Sequence, residues 1–124
     1  MASGYSVIND GLGTDDCDGH GTHVAGTVGG STVGVARAVT LVPVRVLNCA
    51  GLGSFSGIVT AIDWIISNHT QSIPAVANLS LGADGISPAL ETAIANLYAD
   101  GVLPVVAAGN SNINACNATP ARAP

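Results

Sequence analysis

The chain has 124 residues, of which 48% are hydrophobic and 9% charged, so it is long enough for one domain with a core and too apolar for a disordered tail. Eight acidic residues against three arginines give a net charge of -5, which excludes a basic surface for nucleic acid. No apolar run approaches the roughly 20 residues that span a bilayer, and the first residues lack the basic region of a signal peptide.

The first half of the chain alternates between loop, helix and strand patterns. Residues 1–19 are rich in Gly, Asp and Ser and are predicted as loop, apart from one short apolar stretch that could form a strand, Tyr5–Ile8. The small residues of His20–Gly30 predict a helix packed closely in the interior. The β-branched run Thr40–Leu47 predicts a mostly buried strand, and the glycines of Gly51–Gly57 predict a loop.

The second half repeats this alternation with longer apolar segments. Apolar residues recur at helical spacing from Ile58 onward, which predicts a second helix ending near Asn68. Ala75–Leu81 and Val102–Ala107 are apolar runs of strand length, and the spacing of apolar residues from Leu90 to Tyr98 predicts a third helix between them. Apolar strands alternating with helices predict an α/β fold, with a parallel sheet covered by helices on both faces.

The carboxyl ends of parallel strands are where such sheets bind ligands. In this chain those ends are Asn48–Gly53, Ser80–Gly82 and Ala107–Asn110, so we expect the chemistry there. The last loop consists of two alanines, a glycine and an amide, which leaves room for a ligand and lets Asn110 donate a hydrogen bond to charge developing on a substrate oxygen. A simple Gly-Asn turn after a strand is the alternative interpretation.

The segment Asp18-Gly19-His20-Gly21-Thr22-His23 carries the strongest local signal. It places the His20 imidazole between two glycines at the amino end of a helix, whose positive terminus disfavours an imidazolium and so favours a proton acceptor. His23, one turn further on, is expected to face the interior and fix packing. His69, after the second helix, is expected to be exposed.

The three cysteines, Cys17, Cys49 and Cys116, are too few for a disulfide scaffold and lack the spacing of a zinc or redox site. Three thiols or one bridge with one cysteine left over are both compatible with the count. A Cys17–Cys49 bridge would stabilise the fold by about 3 to 4 kcal/mol in the chain-entropy model. It would leave Cys116 unpaired.

Taken together, the histidine and asparagine motifs resemble the subtilisin-like serine proteases, and most of all the proteinase K and aqualysin branch. The resemblance covers the chain from about Asp16 to Pro120. It runs through Asp18 to Thr27, Gly34-Val35-Ala36, Val44-Arg45-Val46-Leu47, Gly51-Leu52-Gly53, Ala77-Asn78-Leu79-Ser80-Leu81-Gly82 and Ala107-Ala108-Gly109-Asn110. Agreement over this many separate motifs predicts membership of that family.

This resemblance implies a role for each matching residue. His20 is the general base of a Ser-His-Asp triad, and Asn110 is the side-chain donor of the oxyanion hole. Peptide substrate would lie as an added strand along Gly51-Leu52-Gly53 and Ser80-Leu81-Gly82, with Phe55 lining a more distant pocket. Ala107, Ala108 and Gly109 would form one wall of a primary pocket for a bulky apolar or aromatic side chain. The branch also implies the Cys17–Cys49 disulfide.

Two family motifs are absent from these residues. No Asp-Thr-Gly or Asp-Ser-Gly segment precedes the histidine motif, and no Gly-Thr-Ser-Met-Ala string follows it. Residues 1–124 are therefore expected to be an internal part of one subtilisin-like catalytic domain, inactive alone, from a secreted monomeric endopeptidase that acts on proteins and peptides. The family implies no catalytic cofactor, although calcium is common, and an exposed acidic turn is favoured over a calcium site at Asp15, Asp16 and Asp18.

Three other interpretations compete with this one. Gly51-Leu52-Gly53 with Gly57 superficially imitates a dinucleotide-binding loop, but the nearest acid, Asp63, lies inside the next helix. Cys17, Asp18, His20 and His23 could be read as metal ligands, although their spacing matches no zinc motif. The third is a catalytically inactive homologue that only binds extended peptides through Ser80–Gly82.

Overall fold

The computed structural model describes all 124 residues as two compact units, Met1–Gly57 and Ile58–Pro124. In chain order the elements are β1 (Tyr5–Ser6), α1 (His20–Gly29), β2 (Val44–Arg45), α2 (Phe55–Asn68), β3 (Ala75–Leu79), β4 (Ala83–Asp84), α3 (Pro88–Ala99), β5 (Val102–Val106), a 3-10 turn (Ala115–Asn117) and β6 (Ala118–Thr119). The predicted α/β class with parallel strands is confirmed, as are all three helices. No helix combines the length and apolar character needed to cross a bilayer.

In the first unit, β1 and β2 pair in parallel, with Tyr5 opposite Val44. Strand β2 is much shorter than the predicted Thr40–Leu47 segment, and Pro43, which has no N–H to donate to the ladder, lies directly before its first residue. The two segments that lead into these strands approach each other closely, because a Cβ on Gly4 would collide with the Pro43 carbonyl.

Helix α1 begins at His20, as predicted, but none of its residues is buried. The expectation of an interior helix is therefore wrong for this chain. The chain approaches the end of this helix closely, since a Cβ on Gly29 would lie 2.8 Å from Val39 Cγ1 and 3.1 Å from Leu41 Cδ2. The small residues of α1 thus allow close contact at one turn without burying the whole helix.

Helix α2 starts at Phe55, inside the segment Gly51–Gly57 that was predicted as loop. The Ser54 hydroxyl accepts a hydrogen bond from Gly57 N at 3.1 Å, which is how a serine caps the first turn of a helix. Because this cap was overlooked, the helix start was placed one turn too late. The buried residues of α2 are Ile58, Ala61 and Ile62.

In the second unit, β3 and β5 form a parallel pair from Ala75 opposite Val102 to Leu79 opposite Val106. Helix α3 packs against β5 and is capped by Ser87, with Pro88 in its first turn. The buried core of this unit comprises Ile58, Ala61, Ile62, Leu79, Leu90, Ala93, Ile94, Leu97, Val102 and Ala118. Both strands end one or two residues earlier than the apolar runs predicted.

A short antiparallel pair, β4 with β6, was not predicted. It sets Ala83 opposite Thr119 and Asp84 opposite Ala118. Thr119 is fully buried, accepting a hydrogen bond from Ser87 N at 3.1 Å and donating one to the Gly85 carbonyl at 2.9 Å. This side chain fixes β6 to the loop that leads into α3.

Candidate active site

His20 is the first residue of α1 and its side chain is exposed. The chain turns into the helix through Gly19, whose φ of 98° lies in the left-handed region that favours glycine. His20 therefore lies at the positive end of the helix, as the sequence predicted. His23 is also exposed, so the expectation that it faces the interior is wrong for this chain.

The carboxylate of Asp16 holds the entrance of α1 in place. One oxygen accepts hydrogen bonds from Asp18 N and Gly19 N at 3.1 and 2.9 Å, and the other from Thr22 N and Thr22 Oγ1, both at 2.7 Å. These bonds hold the pKa of Asp16 well below its usual range, with the Thr22 hydroxyl as the largest cause. Sequence reasoning grouped Asp16 with its acidic neighbours and missed this role.

A disulfide joins Cys17 to Cys49, confirming the bridge implied by the resemblance, and Cys116 is a free, exposed thiol. Because Cys17 is oxidised, the alternative set of metal ligands that includes its thiolate is wrong. Beside the bridge, the Arg45 guanidinium donates to both Asp10 oxygens at 3.0 and 2.6 Å and contacts Cys17 Sγ at 3.3 Å. Asp10 raises the pKa of Arg45, and Arg45 lowers the pKa of Asp10.

The loop Gly51–Gly53 is organised by Asn48. The Asn48 side-chain oxygen accepts hydrogen bonds from Ala50 N at 2.9 Å and Leu52 N at 3.1 Å, while Asn48 N donates to the Leu52 carbonyl at 2.8 Å. Gly51 has a φ of 71°, and a Cβ there would lie 3.3 Å from an Asp18 carboxylate oxygen. Leu52 is 66% exposed, and Phe55, which follows the loop as the first residue of α2, is half-buried.

In the second unit, the carboxyl ends of β3 and β5 share a cavity of about 300 Å³. Six predicted site residues line it: Ser80, Leu81, Gly82, Ala107, Gly109 and Asn110. Ala108 is not among the lining residues. The Asn110 side chain makes no hydrogen bond within the chain, so its amide is free to donate to a ligand.

The opposite wall of the cavity escaped the sequence analysis. It is formed by Ala83, Asp84, Ser111, Ala118, Thr119 and Ala121. A Cβ on Gly82 would lie 3.0 Å from the Thr119 carbonyl oxygen, which is a tight contact, so the two segments approach closely at this glycine. Strands of two residues are too short to show an alternation of apolar and polar residues. For this reason the sequence did not predict this wall.

His69 is not exposed, contrary to the sequence-based expectation. Its side chain is 7% exposed, with Nδ1 lying 2.8 Å from Asp100 Oδ2 and Nε2 lying 2.8 Å from the Ile73 carbonyl oxygen. Since both ring nitrogens face acceptors, only the protonated ring satisfies both. The Ile73 carbonyl and Asp100 raise the pKa of His69, and His69 in turn lowers that of Asp100. This pair links the end of α2 to the end of α3.

The comparisons with known proteins agree with this geometry. Residues 2–124 match the family model described as "Subtilase family". The chain is 54% identical over 122 residues to the extracellular serine proteinase of Thermus sp. (strain Rt41A), and 52% identical over 120 residues to alkaline serine exoprotease A of Vibrio alginolyticus. A crystal structure of a cold adapted subtilisin-like serine proteinase superimposes with a TM-score of 0.92 at 50% identity.

These matches cover nearly all of this chain but a smaller part of the relatives. The two curated relatives are matched over 98% and 97% of this chain, which corresponds to 29% and 22% of their own lengths. The structural match covers 99% of this chain and 44% of the solved chain.

Proposed function

The chain belongs to the subtilase family, and from that premise we propose that it contributes to the catalytic domain of a secreted serine endopeptidase that hydrolyses proteins and peptides. The observation that carries the proposal is the cavity at the ends of β3 and β5, which is lined by Asn110 and by the small residues that the family resemblance assigns to substrate binding. The relatives' names support serine protease chemistry, and one of them is described as extracellular.

His20 is the proposed general base. A serine hydroxyl is a weak nucleophile until a base removes its proton, and the same imidazole can return that proton to the leaving amine. The family's serine and aspartate motifs do not occur among these residues, so the proposal assigns both groups to other parts of the protein. The four hydrogen bonds to Asp16 support the proposal, because they hold the helix turn from which His20 projects.

Asn110 is the proposed donor to the oxyanion of the tetrahedral intermediate. Its amide has no partner within the chain, and it follows Gly109, whose φ of 93° turns the chain sharply after β5. Loss of such a donor costs about 100- to 1000-fold in turnover, a magnitude measured on subtilisin itself and therefore carried over from this family.

Substrate would bind as an extended strand. Gly51-Leu52-Gly53 and Ser80-Leu81-Gly82 each offer backbone groups to a peptide, and Phe55 offers an aromatic surface. Ala107 and Gly109 would contribute to the pocket for the side chain next to the cleaved bond. We propose that catalysis needs no cofactor, that any calcium is bound by the full-length protein, and that this protein is monomeric. The exposed Cys17–Cys49 disulfide supports an oxidising, extracellular location.

A chimera tests the proposal. This chain would replace the matching segment of the Thermus extracellular serine proteinase, with which it shares 54% identity, and hydrolysis of a chromogenic peptide amide would be measured. We expect peptidase activity, and a fall of about 100- to 1000-fold in kcat for Asn110→Ala. A chimera that melts cooperatively and binds peptides without cleaving them would instead indicate a non-catalytic peptide-binding homologue.

A further inference from the structure

One ionisable residue is among the twelve that line the cavity at the ends of β3 and β5. Asp84 lies on its wall, and the other eleven lining residues are glycine, alanine, leucine, serine, threonine and asparagine. The sequence alone predicted a pocket of small neutral residues, suited to an apolar or aromatic side chain. A carboxylate on the wall changes the chemistry that this pocket offers.

The charge of Asp84 is not neutralised within the second unit. The single arginine of the unit, Arg122, lies 2.8 Å from Glu91 Oε1, and its single histidine, His69, lies 2.8 Å from Asp100 Oδ2. The unit contains no lysine. Asp84 forms no ion pair and no side-chain hydrogen bond, so its carboxylate is available to a cation from outside.

The backbone that carries Asp84 is held firmly. Asp84 pairs with Ala118 across the β4–β6 ladder, and the next residue, Gly85, donates its N–H to the Asn117 carbonyl at 3.0 Å. The buried Thr119 hydroxyl donates to the Gly85 carbonyl at 2.9 Å and closes this turn from the other side. The carboxylate therefore belongs to a structured wall rather than to a free loop.

We propose that Asp84 gives this cavity a preference for a basic side chain, arginine or lysine, in the peptide that it binds; this inference rests on the proposed function. The small walls at Gly82, Ala107 and Gly109 leave room for the alkyl stem of such a side chain. Its charged end pairs with the Asp84 carboxylate. Asp84 is thereby a residue that determines specificity at this site.

Peptide titration of the chimera with the Thermus proteinase tests the inference, because that protein supplies the groups that the proposed function places outside this chain. Acetylated tetrapeptides of sequence Ala-Ala-Pro-X with a free carboxyl end, which leaves no bond after X to be cleaved, would be added to the 15N-labelled chimera, with X as arginine, lysine, citrulline or phenylalanine, while the amide resonances of Gly82, Gly109 and Ser111 are followed. Citrulline has the shape of arginine without its charge. We expect the arginine and lysine peptides to bind about two- to fivefold more tightly than the citrulline peptide, as suits an exposed ion pair, and less so in about 0.5 M salt.

Two variants test whether Asp84 causes the preference for arginine over citrulline. Asp84→Asn should abolish the difference in affinity between the arginine and citrulline peptides. Asp63→Asn, which removes the same charge from an exposed position on α2 outside the cavity, should keep the difference. Preserved dispersion of the amide spectrum shows that each variant is folded.

The remaining outcomes separate this inference from the function on which it rests. If the arginine and citrulline peptides bind equally to the unaltered chimera, or if the preference survives in Asp84→Asn, the role of Asp84 is refuted and the proposed substrate site stands. If none of the four peptides perturbs the cavity resonances, the proposed substrate site itself is refuted, and the inference falls with it.

Discussion

The carboxylate of Asp16 organises the residues around His20 more than any other side chain in the first unit. It satisfies backbone N–H groups that the first turn of a helix leaves without intrahelical partners. Sequence reasoning identified His20 because glycines flank it. It missed Asp16 because three neighbouring aspartates look alike in a sequence. Only the backbone geometry shows which of them accepts hydrogen bonds from the start of the helix and which are exposed to solvent.

Replacement of Asp16 should loosen the helix entrance. We expect Asp16→Ala to destabilise the chain by about 1 kcal/mol, the usual cost of losing a capping side chain, and to speed hydrogen exchange at the amides of Gly19 and Thr22. Asp15→Ala is the matched control, because the Asp15 side chain forms no hydrogen bond. Equal exchange rates in the two variants would contradict the capping role.

The lowered pKa of Asp16 gives this contribution a pH dependence. A group whose pKa is depressed by folding stabilises the folded state above its unfolded pKa, and that stabilisation is lost as the pH falls. Protection of the Gly19 and Thr22 amides should therefore decrease as the pH drops below about 4, the ordinary range of an aspartate. The Asp16→Asn side chain cannot titrate, so in this variant the protection of the two amides should not change with pH down to about 2.

The His69–Asp100 pair should give the second unit a pH dependence of the opposite sign. Folding raises the pKa of His69 above the ordinary 6.5, so its stabilisation is complete below that value and is lost as the pH rises through the raised pKa. Thermal melts between pH 5 and 9 should show the melting temperature falling with pH, and His69→Gln should flatten the curve. His23→Gln, at an exposed histidine without a side-chain partner, should leave the curve unchanged. A melting temperature that does not change with pH in the unaltered chain would contradict the stabilising role of the His69–Asp100 pair.

At the scale of elements, helices were predicted well and short strands poorly. Helices α2 and α3 carry apolar residues over 14 and 12 residues, long enough for a period of 3.6 to be recognised. Strands β1, β2, β4 and β6 have two residues each and are defined by their partners rather than by any local pattern. The wall of the cavity that is formed at the ends of β3 and β5 was therefore predictable, and the wall formed around β4 and β6 was not.

Packing of α3 against β5 should supply much of the stability of the second unit. Leu97 on α3 is fully buried, and Leu97→Ala should cost about 2–5 kcal/mol because it removes apolar contacts and leaves a cavity. Leu103→Ala on β5 is the matched control, since that side chain is 50% exposed and should cost far less. Chemical denaturation of both variants measures the difference, and similar losses would contradict the packing.

The disulfide links the segment before α1 to the loop after β2. Its cysteines are 32 positions apart, and its removal in Cys17→Ser/Cys49→Ser should destabilise the chain by about 3 to 4 kcal/mol in the chain-entropy model. Cys116→Ser, which alters a free and exposed thiol, should change stability by less than about 0.5 kcal/mol. Equal unfolding midpoints for the two variants would show that the bridge does not stabilise this unit.

At the scale of the whole molecule, the chain exposes an apolar sheet surface that soluble monomers rarely leave open. Val76, Leu103 and Val105, on the paired strands β3 and β5, are 65%, 50% and 47% exposed. Apolar surface of this kind, next to open strand edges, promotes association between chains. We expect the isolated chain to self-associate as its concentration rises.

Sedimentation velocity measures this tendency directly. Threonine is β-branched and therefore suits a strand, and at all three positions it makes the surface more polar, so the triple variant should remain monomeric at concentrations where the unaltered chain associates. Threonine at Val33 and Val35, which are also exposed but lie outside the sheet, is the control and should not prevent association. Identical sedimentation of both variants would rule out this surface as the cause.

If His20 is the base of a serine protease, its replacement should nearly abolish peptide hydrolysis. In the chimera with the Thermus proteinase, His20→Ala should lower the kcat for peptide hydrolysis by at least about 10⁴-fold, while the melting temperature stays within a few degrees. His23→Ala, on the same helix, should retain most of the activity. A His20→Ala chimera that cleaves peptides at a rate close to that of the unaltered chimera would contradict the account.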